Sequence, residues 1–360
     1  MALEGIFGQS EFSLFNNNGS VPEVKAYDYY KQYAIETVNR LITINKLQDK
    51  NIKFNFDYIQ YFDIDGLSDY WDGTDIVKIN EGVLLKTYKT FYTLASYYPI
   101  LDELQNTSNG SVGIRLYYNF ADEQQYEMEY HVPLDKKRKI IAEYMTMFAI
   151  KFAILHEIGH LFDGHVLYHR SYNELIISDK YTMTSQINSP ISSLDYQTME
   201  MDADAFAISR IIEEIIIMLQ EDILIKSILN NYNDIFTVFV YSLHCFFKLI
   251  KDERKESWNL KKSTHLPWWI REVINLDCAK INIKYKAQNI ISEFEFEDII
   301  KNTCLQAEKQ YNAITSQTID KRDIIEQSSE EVLNHYNNIT NNWKFLKIKL
   351  YPYARVRLAD

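Results

Sequence analysis

Cysteine is nearly missing from this chain: Cys245, Cys278 and Cys304 are the only three in 360 residues, far apart and without a C-x-x-C pair. An odd, scattered set excludes a disulfide framework and fits free thiols in a reducing compartment, so a cytoplasmic location is expected. Basic charge is also in deficit. Thirty-eight Lys and Arg face 50 Asp and Glu, a formal net charge of −12. That balance excludes nucleic acid as the main partner, because phosphate binding needs a basic face. The one basic cluster, Lys136-Lys137-Arg138-Lys139, reads as a solvated helix start. Glycine (10) and proline (6) are scarce while Asn, Ile, Lys and Tyr abound, a pattern that reads as base-composition bias. There is no internal repeat and no low-complexity block. Long hydrophobic runs are lacking too. The best is Ile235 to Ile250, sixteen residues that include Ser242 and His244, whereas a spanning helix needs about 20 apolar residues. A buried core helix is expected there, and no stable membrane insertion. Residues 1–18 lack the charged and apolar regions of a signal peptide.

What is present is a chain long enough to bury a substantial core in one large domain or two ordinary ones. An irregular arm over 1–20 ends in Asn16-Asn17-Asn18-Gly19-Ser20. A helix is predicted from Val21 to about Leu47, then strand character at Phe54, Phe56 and Ile59 before an Asp63-Ile64-Asp65-Gly66 turn. A short strand at Ile76–Ile79 and a helix over Gly82–Tyr98 follow. Val112–Phe120 and Tyr126–Val132 alternate as a hairpin closed by Ala121-Asp122-Glu123-Gln124. Strands followed by helices give an α+β order. The polar stretch from Tyr168 to Gln197 reads as a long connection, either a lid or a surface insertion. Residues 286–343 read as amphipathic helix and Phe345–Leu358 as an extended tail. The expected division is an arm at 1–20, a main domain at 21–275 and a helical region at 276–360.

The chemistry-bearing stretch is His156-Glu157-Ile158-Gly159-His160. It lies inside a helical run from Asp135, a good N-cap, to Phe162. Ile141, Tyr144, Met145, Phe148, Phe152 and Leu155 recur in that run at three- and four-residue spacing. Residues i and i+4 of a helix sit one above the other, so both imidazoles share a face and suit two nitrogen ligands on one Zn²⁺. Glu157 beside them can reach a water at the metal without being a ligand. Two imidazoles on a buried helix are costly without a partner, and a metal supplies one.

A catalytic zinc needs a third protein ligand and an open position. Val166 stands where the metzincin pattern requires His, and His165 is one residue off, after Gly164, the expected helix C′ residue. His165 and His169 therefore read as loop histidines. A better candidate lies in Glu200-Met201-Asp202-Ala203-Asp204-Ala205-Phe206. This stretch opens a second helical run, Glu200 to about Leu219, with Ile208, Ile211, Ile212 and Ile215 on one side. Glu200 and Asp204 share a face at i, i+4. Glu200 can ligate zinc while Asp204 accepts the outer N–H of a ligand His.

His156-Glu157-x-x-His160 followed by Glu200-x-x-x-Asp204 resembles the gluzincin group of zinc metallopeptidases. Glu200-x-x-Ala203-Asp204 is similar to the core of the Ste24/HtpX-like families, and Ser263-Thr264-His265-Leu266-Pro267 with Arg271 is similar to their S-T-H-P…R segment, with Leu266 inserted. Asp72-Gly73-Thr74-Asp75-Ile76-Val77-Lys78-Ile79-Asn80-Glu81-Gly82 resembles the edge strand and turn before the zinc helix of such enzymes. In layout the chain is similar to soluble bacterial Lit-type peptidases implicated in phage exclusion.

The resemblance implies a zincin-like domain and a zinc endopeptidase acting on a specific intracellular protein. Zinc would sit on His156, His160 and Glu200, with Glu157 as general base. His265 would steady the oxyanion, with Arg271 positioning it or the substrate. Ile76, Val77 and Lys78 would bind an extended peptide by strand addition. The readings of other class are a non-catalytic zincin-fold scaffold and a membrane-associated Ste24/HtpX-like protease. His244 reads as a core residue and Trp268-Trp269 as packing, while His131 and His335 carry no signal.

Overall fold

The computed structural model describes residues 25–48, 51–101, 110–119, 122–172, 191–229, 231–253, 263–316 and 330–359. The N-terminal arm and most of the 168–197 connection lie outside the described residues.

After helix α1 (Lys25–Ile44) come strands β1 (Lys53–Ile59), β2 (Gly66–Trp71) and β3 (Thr74–Asn80). They form one mixed sheet in the order β1-β3-β2, β1 parallel and β2 antiparallel to β3. Asp72 and Gly73, with φ of 46° and 75°, make the two-residue turn between β2 and β3. That is the sequence type such tight hairpins prefer, since both central residues need positive φ. The expectation that Ile76, Val77 and Lys78 belong to an edge strand is therefore corrected. β3 is the central strand, hydrogen-bonded on both sides, with no free edge for a peptide. The edge strands are β1 and β2, each of which among the described residues pairs only with β3.

Helix α2 (Glu81–Tyr97) leads to a separate hairpin, β4 (Gly110–Asn119) and β5 (Gln124–Pro133). Met128, Tyr130 and Val132 of β5 are buried, as the alternation predicts. Helix α3 (Lys136–Phe162) starts at Asp135, whose carboxylate accepts the Arg138 N–H at 2.9 Å. Nearly every residue of α3 from Ile140 onward is buried. A helix apolar on all sides belongs in the middle of a fold, and α3 packs against α1, α2 and both β2 and β3.

Gly164 (φ +88°) ends α3, and a short helix α4 (His165–Tyr172) begins at once. Helix α5 (Ser193–Glu221) starts about two turns earlier than the periodicity suggested, because Ser192 caps it through the Asp195 N–H at 3.0 Å. The connection between the two long helices is thus helical at both ends. After α6 (Ile223–Ile228) comes α7 (Asn233–Glu253), longer than the apolar run it contains. α3 and α7 are both long and apolar enough to cross a membrane, yet most of each is buried inside the fold. Helices α8 (Trp268–Lys286), α9 (Glu293–Thr315) and α10 (Glu330–Leu350) complete the chain. α9 packs on α7 and α10 on α5. The architecture is α+β, mostly helical with small sheets.

The tail expected as an extended segment is helical to Leu350, and its turns at 351–359 then wrap back onto the end of α3. The Arg355 N–H donates to the Phe162 carbonyl at 2.7 Å, and its guanidinium grips buried Asp75 of β3, with Nη2 at 2.7 Å from Oδ1. A Cβ on Gly164 would meet the Tyr353–Ala354 backbone at 2.6 Å. That position therefore needs glycine both for its φ and for the space.

Candidate metal centre

The two helices that carry the site approach unusually closely. A Cβ on Gly159 would lie 3.2 Å from Ala203 Cα and from Phe206 Cβ, tighter than ordinary contact. Small residues at 159 and 203 thus let α3 and α5 nest, which brings Glu200 to the face bearing both histidines.

There the candidate ligand atoms converge. Nε2 of His156 and Nε2 of His160 are 3.1 Å apart. Glu200 Oε1 lies 3.4 Å from His160 Nε2, and Oε2 lies 3.6 Å from His156 Nε2. Atoms held about 2.0–2.1 Å from one tetrahedral centre are about 3.3–3.4 Å from each other. The three side chains therefore have the spacing of a shared ion, and all are buried. The facing imidazole nitrogens cannot both keep a proton at 3.1 Å, whereas a cation would satisfy both lone pairs.

Each histidine is held from behind. His156 Nδ1 sits 2.8 Å from Asp204 Oδ1, although its N–H does not point straight along that line. Asp204 is fully buried and gripped by Arg271, with Nε at 2.9 Å and Nη2 at 2.6 Å, and by Asn275 Nδ2 at 3.0 Å. Burial pushes the Asp204 carboxyl up, but the charge and hydrogen bonds of Arg271, with His156 beside it, together outweigh that and hold the group at about 2. Asp204 is thus a fixed anion. The expected role of Arg271 is corrected here: it clamps Asp204 instead of facing a substrate or His265.

Behind His160 stands His165, its Nδ1 3.0 Å from His160 Nδ1 and its Nε2 3.1 Å from Asp202 Oδ2. His165 is not the loop residue that its position after Gly164 suggested. It opens α4 and is buried.

Glu157 lies beside the cluster under the first residue of β2. A Cβ added to Gly66 would stand 2.6 Å from Glu157 Oε1, so only glycine there leaves room for the carboxylate. His265 precedes Pro267, the N-cap of α8, and its charge is the largest influence lowering the Glu200 carboxyl. Burial opposes that effect, and the hydrogen bond with His160 adds to it. Glu200 consequently stays well below the usual carboxylate range. The segment before His265 is fixed by Gln197 of α5, whose Nε2 donates to the Ser263 carbonyl at 2.7 Å. Gln197 in turn bonds His335 of α10, Nε2 to Oε1, at 2.7 Å. Neither residue carried a signal in the sequence.

Among the described residues one other group could hold a metal, His244, Glu272 and Cys304. There both imidazole nitrogens already face carboxylates, Nδ1 to Glu272 Oε1 at 2.6 Å and Nε2 to Glu308 Oε2 at 3.1 Å. Burial pushes the His244 pKa down, but the Glu272 charge and the hydrogen bonds to Cys304, Glu272 and Glu308 together outweigh it and raise the pKa well above the ordinary value. With Lys248 bonded to Glu308 at 2.9 Å, this is a charge-balanced ion network. His244 is buried as expected, but it is charged.

The arrangement at α3 and α5 could hold a divalent ion, with the Glu157 carboxylate next to His156 in sequence. No family model, curated protein or solved structure matches the chain.

Proposed function

We propose that this protein is a zinc-dependent endopeptidase of the gluzincin kind, acting on a specific protein target. The observation that carries this reading is the convergence of His156, His160 and Glu200 within 3.1–3.6 Å, with Glu157 beside them. His156, His160 and Glu200 would hold the ion. When bound, zinc supplies a Lewis acid and a lowered pKa for water, near ~7 in such enzymes.

Glu157 accepts the proton of the attacking water and returns it to the leaving amine. The neighbouring β2 edge, Gly66–Trp71, takes over the role expected of Ile76, Val77 and Lys78. It offers backbone groups to an extended substrate by strand addition. His265, beside Glu200, is the candidate donor to the developing oxyanion. The free thiols of Cys245, Cys278 and Cys304 fit work in the reducing cytoplasm.

The test is elemental analysis of purified protein paired with a search for new peptide termini in cells expressing it. One zinc per chain is expected, lost in His160→Ala and Glu200→Ala. No metal in the wild type, or metal retained in both variants, would overturn the reading. His265→Ala is expected to keep its zinc and KM while kcat falls about 10²–10³-fold, as when one oxyanion donor is lost. Full zinc with unchanged kcat would remove His265 from the mechanism.

A further inference from the structure

We propose that His165 is a positioning residue for the metal ligand His160, the centre of a buried relay His160–His165–Asp202–Asp163 that sets the ligand's ring orientation and tautomer. This rests on the zinc reading above.

The proton bookkeeping follows from which atoms face each other. His160 presents Nε2 to His156 and Glu200. Nε2 must be bare to ligate, so the ring's proton sits on Nδ1. The only atom within hydrogen-bond distance of that Nδ1 among the described contacts is His165 Nδ1, at 3.0 Å. Two identical nitrogens at that distance bond only if one carries the proton and the other accepts it. His165 is then the Nε2–H tautomer, and that N–H points to Asp202 Oδ2 at 3.1 Å. Asp202 is itself hydrogen-bonded to Asp163, the C-cap of α3.

All four side chains are buried. The backbone under the relay is fixed as well. Gly164 makes the left-handed turn that swings α4 behind His160, and Tyr353, Ala354 and Arg355 close over that turn. The two ligand histidines are therefore held differently. His156 leans directly on a carboxylate locked by Arg271, whereas His160 leans on a neutral imidazole. Residues that orient a ligating His typically contribute 10–100-fold in metal affinity.

The experiment measures zinc affinity by chelator competition, and the visible spectrum after cobalt substitution, for wild type, His165→Leu and His165→Gln. Leu fills the space without accepting a hydrogen bond. Gln offers a carbonyl to His160 and an N–H to Asp202. We expect about a 10–100-fold loss of zinc affinity and a shifted cobalt spectrum in His165→Leu, with most of the loss recovered in His165→Gln. Nitrogen-edited NMR of zinc-loaded wild type should show His160 protonated on Nδ1 and His165 on Nε2, a readout independent of whether either variant folds. Wild-type zinc affinity in His165→Leu, a Gln variant no better than Leu, or a His165 ring protonated on Nδ1 would each overturn the relay. Wild type that binds no zinc would sink the metal reading along with it. Zinc bound normally by both wild type and His165→Leu would sink the relay alone.

Discussion

Glu157→Gln should leave zinc and fold intact while peptide hydrolysis falls by about 10²–10⁴-fold, the usual cost of losing a general base. The amide has nearly the shape of the carboxylate, so the packing beneath Gly66 is preserved. Metal binding should survive because the converging ligand atoms come from His156, His160 and Glu200. What is lost is the ability to accept a proton from water and hand it to the departing amine. The effect should therefore appear in kcat, with KM little changed. The check is a single-turnover rate and zinc content on the same preparation, once a cleaved terminus has supplied a peptide. A variant as active as wild type would mean that another group is the base. A variant that loses zinc would mean that Glu157 is a ligand or a structural support.

Arg271→Met should be the most damaging change outside the ligands themselves. The guanidinium is buried and bonds both oxygens of an equally buried carboxylate, at 2.9 and 2.6 Å. Removing one partner of such a pair leaves an uncompensated charge and typically costs about 3–5 kcal/mol. Asp204 would respond by holding a proton, and a protonated acid orients the His156 N–H poorly. Zinc affinity should then drop about 10–100-fold.

The pH dependence has a definite sign. Asp204 is depressed to about 2 in the folded chain, below the ordinary value near ~3.9. Its contribution is therefore complete above pH ~4 and is lost as pH falls through about 2. The gap in melting temperature between wild type and Arg271→Met should be widest above pH ~4 and should narrow as pH falls through about 2. Equal melting temperatures and equal zinc affinity at neutral pH would show that the clamp is dispensable.

The pairing of the site's side chains on shared helix faces was legible in the sequence because helical periodicity converts spacing directly into geometry. His156 and His160, and likewise Glu200 and Asp204, are four apart, and a helix admits one answer for such pairs. Asp135 as a cap and Gly164 as a stop were legible for the same local reason. Partners set by distant contacts were not. Arg271 meets Asp204 across 67 positions, and no spacing rule says which acid a lone arginine will find. His165 looked misplaced because Gly164 breaks the helical register on which ligand spacing depends. The new helix then points its first side chain at the back of His160.

The error over β3 has a different source. Leu67-Ser68-Asp69-Tyr70-Trp71 lacks alternation, since β2 is only half-buried along most of its length. Its hairpin with β3 was nevertheless announced by Asp72-Gly73. Reading that turn would have placed β2 beside β3 and taken Ile76–Lys78 off the edge.

The grip of Arg355 on Asp75 and on the Phe162 carbonyl has a kinetic consequence. The ion pair joins residues 280 positions apart, among the most non-local contacts in the molecule. Closing so large a loop costs entropy before any contact repays it, and such contacts form late in folding. The cover that Tyr353 and Ala354 place over the Gly164 turn, which sets His165 behind His160, should thus be completed only after α10 has docked and its tail has wrapped round. Partly folded chains would present His156 and His160 on a formed helix but without the finished support around them. If the site holds zinc as proposed, its full metal affinity should arise as one of the last events in folding, and any activity that depends on it should be withheld from the folding intermediates.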